Sequence, residues 1–384
     1  TNLAVIVGVT IAVSVLAGAL LVGDSVRGSL RELFLGRLGR TSHVLSAAHF
    51  FPEDLANRIQ NQPGFGERFE SVCPLIVTQG VVTHQESRRR ASEVKVYGVD
   101  ERFWRFHDSS AGAGYAMSQR EALVSTPLAT ELGLQPGDSV LLRLEAHSDI
   151  PAESLHGRRE NRGRTVRLTA RRILPSGGVG EFSLNAEQQG VKAIFVPLSR
   201  LQKELGQDSQ TNTIVITEAA ASGKQSQQET ETSTGHAGIV RAATTLEDLG
   251  LRLRPLSIPA TRAEGPAIEC LSLEKASTLL DESLITKARE AAASSELAPM
   301  PILTYLANRI RIGRREIPYS LVAAVEPGVI EPVDRQTANP STRSPIWLNQ
   351  WAAGDLTAKV GDTVTLEYYL WREEGQLATQ TAEF

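Results

Sequence analysis

From Leu3 to Val22 the chain reads LAVIVGVTIAVSVLAGALLV, with no charged residue, proline or aromatic ring. At about 1.5 Å rise per residue such a run makes a helix about 30 Å long, which is the hydrocarbon thickness of a bilayer. It predicts a membrane-spanning helix over residues 1–23. Beyond it Val26, Leu30, Leu33, Phe34 and Leu38 recur at spacings of three and four, while Arg27, Arg31 and Arg37 fall off that stripe. Residues 24–40 are therefore predicted as an amphipathic stalk that continues the helix, with Gly39 as its stop. The stripe residues are the candidates for coupling stalk to domain. A basic helix lying on lipid is the competing reading.

Small residues recur four apart within the apolar run: Gly8 with Ala12, Ser14 with Gly18, Ala19 with Gly23. Bilayer helices associate by close backbone packing, so these pairs are candidate contact points for further helices. Ala and Gly are also simply frequent in membrane helices. Ala17-Gly18-Ala19 has the form of a signal-peptidase site. Yet the apolar run exceeds the roughly 7–15 residues of a signal peptide, and no basic segment precedes it. The opening at Thr1 reads as an internal start, part of something longer. Arg27, Arg31, Arg37 and Arg40 follow the run, and basic residues near a membrane end favour the cytoplasm. Large domains translocate largely regardless of charge, so this objection to an outward-facing domain stays open.

Past the stalk the pattern changes to short apolar strands separated by helices, and it occurs twice. VLSAAHFFPEDLANRI gives a strand (Val44 to Ala47) and a helix from near Pro52. CLSLEKASTLLDESLITKARE gives a strand near Ile268 to Leu273 and a helix from near Asp281. Strands follow at Val72 to Val82 and at Ile302 to Ile312, then at Val94 to Asp100 and at Tyr319 to Pro327. Each copy then carries Gly-Asp-x-Val-x-Leu, at Gly137-Asp138 and Gly361-Asp362, a turn chemistry that feeds a strand. Matched positions lie at offsets of 224 (Gly137 to Gly361), 227 (Val99 to Glu326) and 228 (Leu75 to Leu303). Nearly constant offsets in one order predict a duplicated module. The copies are residues 41–257 and 258–384, the second incomplete. Glu218 to Gly238 is rich in Ser, Thr, Gln and Gly and predicts a flexible loop. A helix follows from near Ile239 through Leu246 and Leu249. Mixed strands and helices in this order predict an α+β fold.

Composition removes several function classes. With 40 basic and 44 acidic residues the net charge is −4, which gives no case for nucleic-acid binding. Cys73 and Cys270 exclude a disulfide scaffold and leave open one bridge or two thiols. No GxxxxGK[ST] occurs, so a nucleotide must be handled by a partner. Gly177-Gly178-Val179-Gly180 lacks dinucleotide spacing and reads as a loop. Ser272-Leu273-Glu274-Lys275 has no companion motif of an acyl enzyme. The seven histidines pair with no ligand at zinc spacing, so no catalytic, cofactor or metal site is predicted. His156 to Arg172 is arginine-rich. Val166, Leu168 and Ala170 alternate with Arg167, Thr169 and Arg171, which predicts a strand with one wet face rather than a phosphate site.

Phe195-Val196-Pro197-Leu198, Leu201-Gln202, Leu205-Gly206 and Asn212-Thr213-Ile214-Val215 together resemble the FVPL-x-x-LQ stretch in the extracytoplasmic domains of MacB/FtsX-like ABC transporter permeases. GDSVRGSLRELFLGRLGR after the apolar run is similar to the first membrane helix and stalk of such permeases. IPAESLHGRRENRGRTVRL, LTYLANRI and IPYSLVAAVEP resemble a bacterial subgroup with an enlarged domain. The resemblance implies a permease subunit in the bacterial inner membrane, with its bulk extracytoplasmic and further membrane helices beyond Phe384. It implies a separate cytoplasmic ABC ATPase and a homo- or heterodimer with a second permease. ATP-driven motion would travel up the stalk by mechanotransmission. It also implies a βαβ lobe, mapped onto residues 41–100 and 211–257, with a strand-rich insert at 101–210. The alternative is a singly membrane-anchored binding or scaffold protein. An anchored hydrolase lacks a nameable nucleophile and base.

Overall fold

A computed structural model of the chain describes residues 2–107, 115–144, 164–219, 229–258, 268–275, 280, 282–325, 344–371 and 377–384. The chain divides into two compact units, Thr1–Thr278 and Leu279–Phe384.

The first unit opens with α1, Asn2–Leu38, in which the apolar run and the stalk form one unbroken helix. No proline lies within it, and Gly39 ends it in the left-handed region at φ +58°. Its described side chains from Leu3 to Leu33 are exposed, a surface that needs lipid or other helices to cover it. Next come β1 (His43–Pro52), α2 (Asp54–Gln60), α3 (Phe65–Arg68), the long β2 (Phe69–His84), β3 (Arg90–Val99) and α4 (Glu101–His107). They are followed by β4 (Glu121–Ser125), α5 (Thr126–Leu132), β5 (Ser139–Leu144), β6 (Thr165–Leu174), β7 (Ala193–Pro197) and α6 (Leu198–Leu205). The unit closes with β8 (Gln210–Glu218), α7 (Glu229–Ala243) and the antiparallel ribbon of β9 (Leu251–Ile258) with β10 (Ile268–Lys275).

Eight strands form one sheet in the order β1-β8-β2-β3-β7-β4-β6-β5, and β5 pairs back onto β2, so the six strands from β2 to β5 close into a ring. Closure abolishes the free edges of those strands. Gly80 lies at the closing seam, where a Cβ would stand 2.7 Å from the carbonyl oxygen of Arg143, so only glycine lets the strands approach. One buried cluster joins Ile76, Val82, Val96, Val140, Leu142, Val166 and Leu168 of the ring with Leu128 of α5 and Leu201 of α6. A second is aromatic: Tyr97, Phe103, Trp104, Phe106, Phe182 and Phe195. A third packs α2 and α7 on the β1-β8-β2 wing through Leu55, Ile59, Phe69, Ile214, Ile216 and Ile239.

Three expectations change. Of the polar stretch 218–238, residues 220–228 lie outside the described residues, and 229–238 are helical rather than loop, because α7 begins ten residues before Ile239. Burial of His236, Ile239 and Ala243 against the wing holds that helix despite its Ser/Thr-rich composition. The helix also stops before Leu246 and Leu249, which are exposed around a separate 3-10 turn at Glu247–Leu249. There the buried residue is Asp248, whose carboxylate accepts two bonds from Arg58 of α2, at 2.6 and 2.5 Å. The two lobes also share β2: it pairs with β8 through Leu75 and with β3 from Ile76, so β3 belongs to the ring. Cys73 and Cys270 are both free thiols, and burial raises the Cys73 pKa.

In the second unit α8 (Glu282–Ser294), β11 (Leu303–Ile312), β12 (Arg315–Ala324), α9 (Gln350–Leu356), β13 (Thr365–Trp371) and β14 (Leu377–Glu383) include a four-stranded sheet, β12-β11-β13-β14. Its core is Ala307, Ile310, Ile317, Ala352, Leu356, Val364 and Leu366. Local geometry repeats that of the first unit. Ser125 caps α5 by accepting from the Leu128 N–H, and Asn349 caps α9 by accepting from the Ala352 N–H. Gly137 and Gly361 hold φ of +101° and +97°. Asp138 then accepts from the Gln135 N–H at 2.7 Å, and Asp362 from the Lys359 N–H at 2.8 Å. Val82 faces Leu142 across β2 and β5, as Ile310 faces Leu366 across β11 and β13.

Candidate functional site

The last turn of α1 carries Arg37, which the hydrophobic stripe leaves on the polar side. The structure buries it to 6% exposure. Its guanidinium donates to the carbonyl oxygens of Glu187 and Gln189, the latter at 2.8 Å, and to the Glu181 carboxylate at 3.2 Å. A planar fork with fixed donors suits this clamp, whereas a lysine would supply one point charge. Glu181 ends the 3-10 turn Gly178–Glu181, so the glycine-rich stretch read as a loop shapes the turn that brings a carboxylate to the stalk. The next residue, Phe182, is fully buried in the aromatic cluster and accepts a bond from the Tyr97 hydroxyl at 3.0 Å. Lys95 of β3 pairs with the Glu187 side chain at 3.2 Å, which fixes the loop whose carbonyl Arg37 takes. Arg37 thus ties the last turn of the stalk to a packed core.

Immediately beyond, the chain turns on Gly39. A Cβ there would lie 2.5 Å from His107 Nδ1, in addition to the left-handed φ. His107 packs among Phe103, Phe106 and Phe182, and both its ring nitrogens are buried without a partner among the described residues. Burial, and secondarily the charge of Arg40, lower its pKa to about 4, so the ring is neutral at pH 7. Arg40 itself pairs with Glu70 at 2.5 Å, and its carbonyl accepts from Thr217 Oγ1 at 2.8 Å. Backbone bonds from Ser42 to Ile216 and from Ser183 to Arg37 complete the junction.

The stripe residues divide here. Phe34 and Leu38 are half-buried, whereas Val26, Leu30 and Leu33 are exposed along the stalk. Gly8, Ala12, Ser14, Gly18, Ala19 and Gly23 are all exposed, with open space beside the four-apart glycines. Arg37 escaped the sequence reading because its anchoring partners lie about 150 residues away.

A second cluster was missed for the same reason. His43 opens β1, Glu218 ends β8 and His236 lies on α7, and their donor atoms lie within 4.8 Å of one another. The two imidazoles meet edge to face with centroids 5.0 Å apart, and His236 Nε2 stands 3.8 Å from the Glu218 carboxylate. His43 Nε2 is buried with no hydrogen-bond partner among the described residues. Desolvation lowers the His236 pKa, as do His43 and Arg68, against an opposing contribution from Glu218.

Other sequence candidates fall to their surroundings. Val166, Leu168 and Ala170 point into the core while Arg167 and Arg171 are exposed, and Arg171 reaches Glu121. The earlier part of that basic segment, through residue 163, lies outside the described residues. Ser272 donates to Glu274, and a strand turns Ser272 and Lys275 to opposite faces.

Residues 3–233 match the family model described as the MacB-like periplasmic core domain. A solved structure similar to this chain is the periplasmic region of MacB from Actinobacillus actinomycetemcomitans, at 10% identity and a TM-score of 0.32, over 56% of this chain and 88% of that one. No curated protein matches the chain.

Proposed function

This chain belongs to the family of MacB-like periplasmic core domains, and from that premise we propose that it is a permease-type subunit of an ABC transporter, anchored by α1 with its large remainder outside the cytoplasm. It has no chemistry of its own in this reading. A separate cytoplasmic ABC ATPase hydrolyses ATP, the motion passes along α1, and the extracytoplasmic domain changes shape to export or release a substrate. The membrane is the bacterial inner membrane, and the working unit is a homo- or heterodimer with a second permease.

The observation that carries this reading is the continuity of α1 into the Arg37 clamp. A helix that merely tethered a domain would have no need to end in a buried guanidinium tied to three groups. A rigid rod fixed to a packed core passes a tilt on; a flexible linker dissipates it. Val26, Leu30, Leu33, Phe34 and Leu38 are the proposed coupling face, and Gly8, Ala12, Ser14, Gly18, Ala19 and Gly23 the proposed packing points for other membrane helices.

We further propose that the chain carries a duplicated module, with copies at 41–257 and 258–384, the start of the second copy lying within the first unit. The matching caps, turns and strand registers support it.

The test is reconstitution with the ATPase partner. Leu30→Asp and Arg37→Ala are expected to abolish export while ATP binding by the partner persists. Undiminished export by both variants sinks the stalk mechanism.

A further inference from the structure

We propose that His43, Glu218 and His236 form a Zn2+ site that clips helix α7 to the point where the stalk enters the domain. The three donors come from elements far apart in sequence, yet they converge on one spot with their ligating atoms within 4.8 Å of one another. Tetrahedral zinc with ligand bonds of about 2.0–2.1 Å holds its ligands about 3.3 Å apart, so modest side-chain rotation closes the set. Two imidazoles and one carboxylate are a donor combination that suits zinc and leaves the fourth position to water.

The surroundings argue for a ligand. His43 Nε2 is buried and unpaired among the described residues, a situation that costs free energy unless something occupies that lone pair or proton. The histidines lean on each other and on Phe69, which stands 5.8 Å from His43 and 4.8 Å from His236, so packing keeps both rings at the cluster. Glu218 is exposed and gives an ion its entry. Arg68 is the opposing charge. Its guanidinium fills the space beside Gly235, and as a flexible side chain it can swing outward when a cation arrives.

The location gives the site a consequence. Glu218 N–H donates to Ser42 Oγ, and Thr217 holds the Arg40 carbonyl, so the donors flank the few residues that join α1 to β1. An ion there cross-links the stalk exit, β8 and α7. The site is independent of the transport reading and stands or falls separately.

The experiment is calorimetric titration of the full chain in detergent, free of any affinity tag, with Zn2+, alongside visible absorption spectra with Co2+ as a geometry probe. One Zn2+ per chain and an intense tetrahedral Co2+ spectrum are expected, both lost in His43→Ala and His236→Ala. Glu218→Gln removes only an exposed carboxylate, so the fold persists while affinity falls. Absence of Zn2+ binding, or binding unchanged in Glu218→Gln and in the histidine variants, overturns the proposal.

Discussion

Arg37 is the residue on which the stalk junction turns, and its removal has a definite expected cost. Arg37→Ala leaves the 15%-exposed Glu181 carboxylate and two carbonyl oxygens without their donor. The unpaired groups predict a loss of about 2–3 kcal/mol of stability. Arg37→Lys keeps the charge but not the fork, and recovers only part of it; denaturant titration separates the two. His107 makes a pH-dependent contribution beside it. Its folded pKa of about 4 lies below the ordinary histidine value near 6.5, so the unfolded chain binds the extra proton first. Stability from this residue is complete above about pH 6.5 and is lost as pH falls towards 4, on the order of 3 kcal/mol in all. His107→Phe keeps an aromatic ring in the cluster and removes that slope. Thermal unfolding at pH 7.5 and pH 5 reads the difference, and an equal pH dependence in the variant contradicts the assignment.

At the scale of elements, local signals were legible and distant ones were not. The apolar run, the 3.6-residue stripe and Gly39 state α1 and its end because each acts within a few residues. Strands with alternating burial, such as β6, follow from the same local pattern. The closure of β5 onto β2, the Arg37 clamp and the His43–Glu218–His236 cluster are long-range meetings that no periodicity encodes. Helix α7 was hidden because packing against Phe69 overrides a Ser/Thr-rich composition. The repeated Gly-Asp turn gives an element-scale prediction. Gly137 and Gly361 hold matching positive φ, so Ala at either position carries a strain penalty of about 1–3 kcal/mol. Open space surrounds both, which excludes a steric clash as the cause. Gly137→Ala and Gly361→Ala are therefore expected to destabilise their own units by similar amounts in urea. A neutral effect at one site alone would show that the turns are not equivalent.

For the whole molecule the deciding question is the side of the membrane on which the domain stands. Four arginines follow the apolar run, and counted as free charge they favour the cytoplasm. The structure gives two of them a second role. Arg37 is buried against Glu181, and Arg40 is paired with Glu70, so both are committed within the folded domain. Arg27 and Arg31 remain on the exposed stalk. Topology is chosen before the domain folds, so the pairings explain why those arginines are present without fixing the orientation. Two of the four arginines thus have a structural role at the junction, while all four charges act on the nascent chain. A reporter that is active only outside the cytoplasm, fused after Phe384 and expressed in bacteria, is expected to be active. The Arg37→Ala fusion should show the same sidedness, because that residue acts in the folded domain. Activity confined to the cytoplasm would leave force by way of α1 with no extracytoplasmic load to move, and the proposed coupling to an ATPase partner would fall.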